Sequence, residues 1–159
     1  PANFPTLRIA QLAVLIARSD GAFGSLLEQD DPFVLRAALD VEAAGYWLEH
    51  YRFDQVASVS AKRLGSSAVD GVIINTVVPF LYAMKRLRGQ HASAERALGL
   101  LRSLPAERNA ITEGWEALGM RAGTAARSQA LLELKDHYCG QRRCLSCVIG
   151  AELLKNANP

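Results

Sequence analysis

The sequence lacks the glycine signatures of nucleotide binding. None of its 12 glycines falls in a G-x-G-x-x-G or a G-x-x-x-x-G-K-[ST] pattern, so neither a dinucleotide fold nor a P-loop has support. It also lacks an uninterrupted apolar run of about 20 residues, the length a membrane helix needs. The longest mainly apolar stretch, Gly71 to Met84, is broken by Asn75, Thr76 and Pro79, and reads as a core helix. No basic segment followed by an apolar stretch and a cleavage site is visible, so no signal peptide is expected. Charge imbalance is missing too: the formal net charge is +2, too small to mark a nucleic-acid binder by itself. There is no internal repeat and no low-complexity tract. Cysteine is scarce: three residues, an odd number without a secretory signal. That argues against a disulfide framework and for a reducing, cytoplasmic location.

What is present is ordinary globular material. The chain has 159 residues, 50% hydrophobic and 21% charged. That length suits one domain, which buries roughly 70% of the surface of the unfolded chain and needs no covalent staple. The expectation is a single domain over residues 1–159. The opening Pro1-Ala2-Asn3-Phe4-Pro5, without an initiator Met, leads us to expect the C-terminal part of a longer protein.

Helical spacing dominates. Leu7, Ala10, Val14 and Ala17 share a stripe over Thr6 to Ser19, widened by Leu12, Leu15 and Ile16, and Asp20-Gly21 supplies a stop. So wide an apolar face predicts neighbours on more than one side. Asp31-Pro32 reads as N-cap and first helical residue of a second helix running to about Ala44-Gly45. The aromatic stretch Tyr46 to Phe53 fits a short strand or an irregular packed loop. Ser67-Ala68-Val69-Asp70 resembles a capping box ahead of an apolar helix to about Leu87. Pro79 inside that helix crowds the Asn75 carbonyl. The Asn75 side chain is expected to donate to a carbonyl freed nearby, a structural rather than a ligand-binding role.

Further helices are read over Ala92 to Ser103, Pro105 to Leu118, Ser128 to Tyr138 and Val148 to Lys155. Leu98, Leu101 and Ala94 mark the inner face of the first, and Leu131, Leu132 and Leu134 that of the third. Asn109 and Trp115 stand out in the second. The fold class is therefore all-α, six or seven helices around one core, with a cysteine-containing turn near the C-terminus.

All three cysteines sit together as Cys139, Cys144 and Cys147, a C-x4-C-x2-C pattern two residues after His137. Thiolates bind soft or borderline metals, and a closed zinc site wants four ligands. His137 is the nearest fourth, but residues two apart on a helix do not face the same way. His137 and Cys139 share a metal only if the helix unwinds at Tyr138. His50, His91, Asp136 or a residue outside this chain are alternatives. An iron–sulfur cluster is the second metal reading, one cysteine short of the usual four. Against both stand buried thiols that merely pack and a redox pair favoured by Arg142 and Arg143. No base is placed beside any of the three by spacing, so no catalytic residue is assigned. Lys85-Arg86-Leu87-Arg88 and Gln141-Arg142-Arg143 read as solvated helix ends. Asp20, Glu28, Asp30 and Asp31 read as a solvent-facing acidic loop.

The opening thirteen residues Pro1 to Ala13, Ile73 to Pro79, Glu107 to Ile111, and Ser128 to Lys135 leading into Tyr138-Cys139 and Cys144 to Gly150 together resemble the C-terminal half of the bacterial domain-of-unknown-function family 2851. The resemblance implies a missing N-terminal portion and no particular activity. Tyr138-Cys139 and Arg143 to Ile149 are locally similar to the cluster loop of endonuclease III-type glycosylases. Those carry a longer first gap and a fourth cysteine that this chain lacks. Two functions are therefore carried forward. One is a non-enzymatic helical scaffold or interaction domain, its last helix pinned by the thiol cluster, with or without a structural metal, and its partner the N-terminal part of the same protein. The other is a nucleic-acid-processing or nucleic-acid-binding module with a zinc or iron–sulfur site.

Overall fold

A computed structural model of the chain describes residues 4–19, 24 and 28–156. Seven helices are found among them: α1 Pro5–Ser19, α2 Pro32–Leu39, α3 Ser66–Leu87, α4 His91–Ser103, α5 Ala110–Ala117, α6 beginning with Ala125–Glu133, and α7 Val148–Asn156. Four short strands lie between α2 and α3: β1 Glu42–Ala43, β2 His50–Arg52, β3 Gln55–Val56 and β4 Lys62–Arg63. The helical class and the cysteine turn near the C-terminus are as the residue pattern predicts. The chain divides into two compact units, Pro1–Leu100 and Leu101–Pro159.

In the first unit, α2 opens as expected: Asp31 Oδ1 accepts a hydrogen bond from Phe33 N at 2.8 Å, with Pro32 behind it. It stops at Leu39, five residues before the expected Ala44. The chain there turns extended so that Val41 and Ala43 can be buried, and Glu42–Ala43 pairs antiparallel with Arg63 and Lys62. Gly45 then takes a left-handed backbone, φ +63°, which glycine adopts without steric cost. The aromatic stretch resolves into a 3₁₀ turn, Gly45–Leu48, and the β2–β3 hairpin. Tyr46 stacks on His50 with ring centroids 3.8 Å apart.

The helix α1 buries only Leu7 and Gln11, while Ile9, Leu12 and Ile16 are exposed. The wide burial expected for it is not met, because its packed side is the narrow line that meets β1 and β2. The Asp20-Gly21 stop lies outside the described residues.

At 22 residues, α3 is long and apolar enough by length and composition to cross a bilayer, yet Ile73, Ile74, Val77, Val78 and Leu81 are buried within the protein. Its start differs from the expected capping box. The helix begins at Ser66 after Gly65, with no side-chain cap, because Asp70 is engaged elsewhere. Both its carboxylate oxygens accept from Arg36 of α2, at 2.6 and 3.0 Å. A π turn over Ile73–Val77 precedes Pro79, and Val78 N donates five residues back to Ile73 O. The wider turn makes room for the proline ring. Asn75 Nδ2 donates to Gly71 O at 3.1 Å, the structural role its position predicted. The buried line of α4 runs Ala94, Ala97, Leu100, so Ala94 is on the expected face and Leu98 and Leu101 are at its edges.

In the second unit, α5 starts at Ala110, because Asn109 is its N-cap. Asn109 Oδ1 accepts from Ile111 N and Thr112 N, both at 3.0 Å, and Thr112 Oγ1 accepts from Asn109 N at 3.0 Å. Thr124 caps α6, and the fully buried Ser128 accepts from Glu107 N and donates to Ala125 O. Trp115 Nε1 donates to Leu131 O at 3.1 Å, tying α5 to α6. Leu131, Leu132 and Leu134 are half-buried.

Candidate functional site

The cysteine loop grows out of α6. After Glu133 the helix widens into a π turn, Leu134–Cys139, closed by Gly140 N donating to Lys135 O at 2.7 Å. Arg142 then adopts a left-handed backbone, φ 54°, and Arg143 N returns to Tyr138 O at 2.9 Å. The Arg143 guanidinium sits 5.4 Å from the Tyr138 ring centroid. Cys144–Ser146 form a 3₁₀ turn, and Cys147 accepts from Ala151 N at 2.8 Å as α7 begins.

The three thiols differ in setting. Cys147 is buried, whereas Cys139 and Cys144 are exposed, and none is in a disulfide. His137 is exposed, with Nε2 3.5 Å from Glu133 Oε2. Asp136 is exposed on the same turn, and His50 Nδ1 donates to Tyr46 O at 2.8 Å. The side chain of His91 lies outside what is described. Among the described residues, no three His, Cys, Asp or Glu side chains gather closely enough to hold a metal ion.

A second polar centre, which spacing did not reveal, lies in the first unit. Lys62 on β4 is only 2% exposed. Its ammonium donates to Leu48 O at 3.1 Å, to Ser60 O at 3.0 Å and to Ser60 Oγ. Its charge lies 4.1 Å from the centroid of the Tyr51 ring. Three acceptors match the three donors of an ammonium, and the ring face adds a cation–π contact. The Lys62 carbonyl accepts from Gln11 Nε2 at 2.8 Å, which is why a glutamine is buried on α1. The Tyr51 hydroxyl shares a 3.3 Å hydrogen bond with Ser60 Oγ. That bond, helped by the Lys62 cation and opposed by partial burial, holds the Tyr51 phenol below its ordinary value. The sequence signal for this centre was only a Lys62-Arg63 pair in the short stretch Val59 to Leu64. Solvent-facing lysines look the same in sequence.

Beside Lys62 opens a cavity of about 390 Å³, whose polar lining includes Arg8, Tyr51, Arg63, Ser66 and Ser67. A neighbouring cavity of about 370 Å³ shares Arg63, Gly65 and Ser66 but adds Arg36 and Asp40.

The family model described as "Protein of unknown function (DUF2851)" matches residues 1–110. That span contains the Lys62 centre and ends before the cysteine loop. Neither a curated protein nor a solved structure matches the chain.

Proposed function

The chain belongs to the DUF2851 family of proteins of unknown function, and on that premise we propose that it acts as a helical interaction domain with α7 as its docking element. One observation carries this reading. The nine-residue helix α7 has no buried residue, although its sequence is mostly apolar. Leu145 just before it is 84% exposed and Val148 87%, and Leu153 and Leu154 are exposed as well. At helical spacing Ile149 and Leu153, four residues apart, share one face, and Lys155 lies on the side away from both. Leaving such a face in water forfeits roughly 25 cal/mol per Å² of apolar surface. Contiguous exposed apolar surface of this kind marks protein-docking sites. An amphipathic helix of this kind docks by laying its apolar face into an apolar groove on a protein partner.

In this reading the cysteine loop holds α7 by packing. A zinc ion or iron–sulfur cluster on Cys139, Cys144, Cys147 and His137 would require a rearranged loop that gathers the four.

The test is photo-crosslinking in the protein's own cells. A crosslinking residue at Leu153 should give a discrete adduct, of twice the chain mass if the partner is a second copy. The same residue at Lys155, on the side of the helix opposite Leu153, should give none. Equal yields at both positions, or no adduct at 153, defeat the reading.

A further inference from the structure

Ser60 is the junction of the Lys62 centre. Its amide donates to Leu48 O at 3.1 Å, the same carbonyl that holds the Lys62 ammonium. Ser60 Oγ accepts from Lys62 Nζ, so the hydroxyl proton of Ser60 is left to donate to Tyr51 Oη, 3.3 Å away. Catalytic hydrogen bonds are often this long before a substrate binds. An activated serine needs a proton acceptor within reach of its hydroxyl and a third group that favours the deprotonated pair. Tyr51 and Lys62 stand in those two places.

The burial of Lys62 supports the same assignment. A lysine at 2% exposure is normally paired with an opposite charge, yet all three of its acceptors here are neutral oxygens. The neighbours that can turn anionic beside it are Tyr51 and Ser60. Tyr51 leans that way already: the Ser60 hydrogen bond first, and the Lys62 cation after it, lower its phenol from the ordinary value. Access comes from the cavity of about 390 Å³, which Tyr51, Ala61 and Lys62 line, and Ser60 itself is half-buried. The amide of Ala61 has no hydrogen-bond partner among the described residues. An amide directly after the nucleophile is a common donor to the acyl oxygen.

We propose that Ser60 is the nucleophile of an esterase site for short-chain carboxylic esters, with Tyr51 as its base and Lys62 as the fixed charge that stabilises the anion. Tyr51, as phenolate, takes the Ser60 proton while Oγ forms a bond to the ester carbonyl carbon. The tetrahedral oxyanion then collapses, the ester C–O bond breaks, and the departing alkoxide takes that proton back from Tyr51. Water, deprotonated by Tyr51 in its turn, attacks the acyl-serine, which releases the carboxylic acid and restores Ser60. No electrons are gained or lost overall. A volume of about 390 Å³ lies at the small end of ligand sites, which limits the acyl chain, and Leu7 and Ala68 give it apolar wall. The site is independent of α7 and of the cysteine loop.

The experiment treats the full chain with diisopropyl fluorophosphate, which loses fluoride to an activated serine and leaves a stable adduct, and locates the adduct by peptide mass spectrometry. Labelling of Ser60 is expected in the folded chain and not in urea. Turnover of 4-nitrophenyl acetate is expected alongside it and should be lost in Ser60→Ala. Lys62→Met risks the fold, so Tyr51→Phe is the decisive variant. It keeps the ring beside Lys62 and removes only the hydroxyl. Labelling of Ser60 should then slow about a hundredfold, the usual contribution of a general base, with the circular dichroism spectrum unchanged. No adduct on Ser60 in the folded chain, or a labelling rate that Tyr51→Phe leaves unchanged, overturns the proposal.

Discussion

Gly150 lies so close to Cys144 that a Cβ on Gly150 would sit 2.6 Å from the Cys144 carbonyl oxygen. The start of α7 therefore packs directly on the backbone of the cysteine turn. Glycine is needed there for approach, not for an unusual dihedral.

Gly150→Ala should be destabilising by about 1–3 kcal/mol, the usual range for overpacking, because the atom in the way is backbone. Gly114 in α5 is the control, with nothing within 4 Å of an added Cβ. There, alanine should stabilise by about 0.5–1 kcal/mol through helix propensity. Urea unfolding of the two variants checks the opposed signs.

The thiols offer a second measurement. With Cys139 and Cys144 exposed and Cys147 buried, two equivalents should react quickly with an aromatic disulfide reagent in native buffer and the third only in denaturant. Gly150→Ala should make the third reactive as well. Cys144→Ser should cost about 1 kcal/mol or less if the loop is held by packing. A metal bound there would raise that loss to several kcal/mol and would appear in elemental analysis.

Arg36 and Asp70 join α2 to α3 through two hydrogen bonds, at 2.6 and 3.0 Å, with side-chain exposures of 33% and 13%. The hydrogen bond that Arg36 donates to Asp70 is the main reason its guanidinium is held above its ordinary value. Asp70→Asn should cost about 2 kcal/mol, since it leaves a charged donor poorly matched. Arg36→Met combined with Asp70→Leu should recover part of that loss. A double-mutant cycle with no coupling would show the pair to be ornamental.

What the sequence revealed follows from the range of each signal. Asp31-Pro32 and Asn75 were legible because caps and proline neighbours act within a few residues. The misread residue was Asp70. Its spacing from Ser67 fits a capping box, but Arg36, 34 residues away, competes for it and wins by offering two charged hydrogen bonds. The end of α2 was overrun because β1 finds its partner, β4, only after the intervening hairpin. Lys62 was invisible for much the same reason: one of its acceptors, Leu48 O, and the Tyr51 ring beside its charge come from a separate turn and strand. The cysteine pattern was the reverse case. It was conspicuous in sequence, yet the left-handed Arg142 and the π turn leave its thiols in unlike surroundings.

The last prediction concerns pH. Ser60 first, and then the Lys62 cation, lower the pKa of Tyr51 from its ordinary value near 10. Of the four tyrosines, Tyr51 should therefore ionise ahead of the ordinary phenol range, seen as an early phase in the phenolate absorbance. Tyr51→Phe should remove that phase. The sign for stability follows from linkage. An acid whose folded pKa is depressed stabilises the native state fully above the unfolded pKa. That contribution is lost as pH falls through the folded value. The stability gap between the wild type and Tyr51→Phe should consequently widen as pH rises from 7.5 to 10.5. Urea midpoints at the two pH values measure it, and a gap that narrows would show that Lys62 and Ser60 do not favour the phenolate.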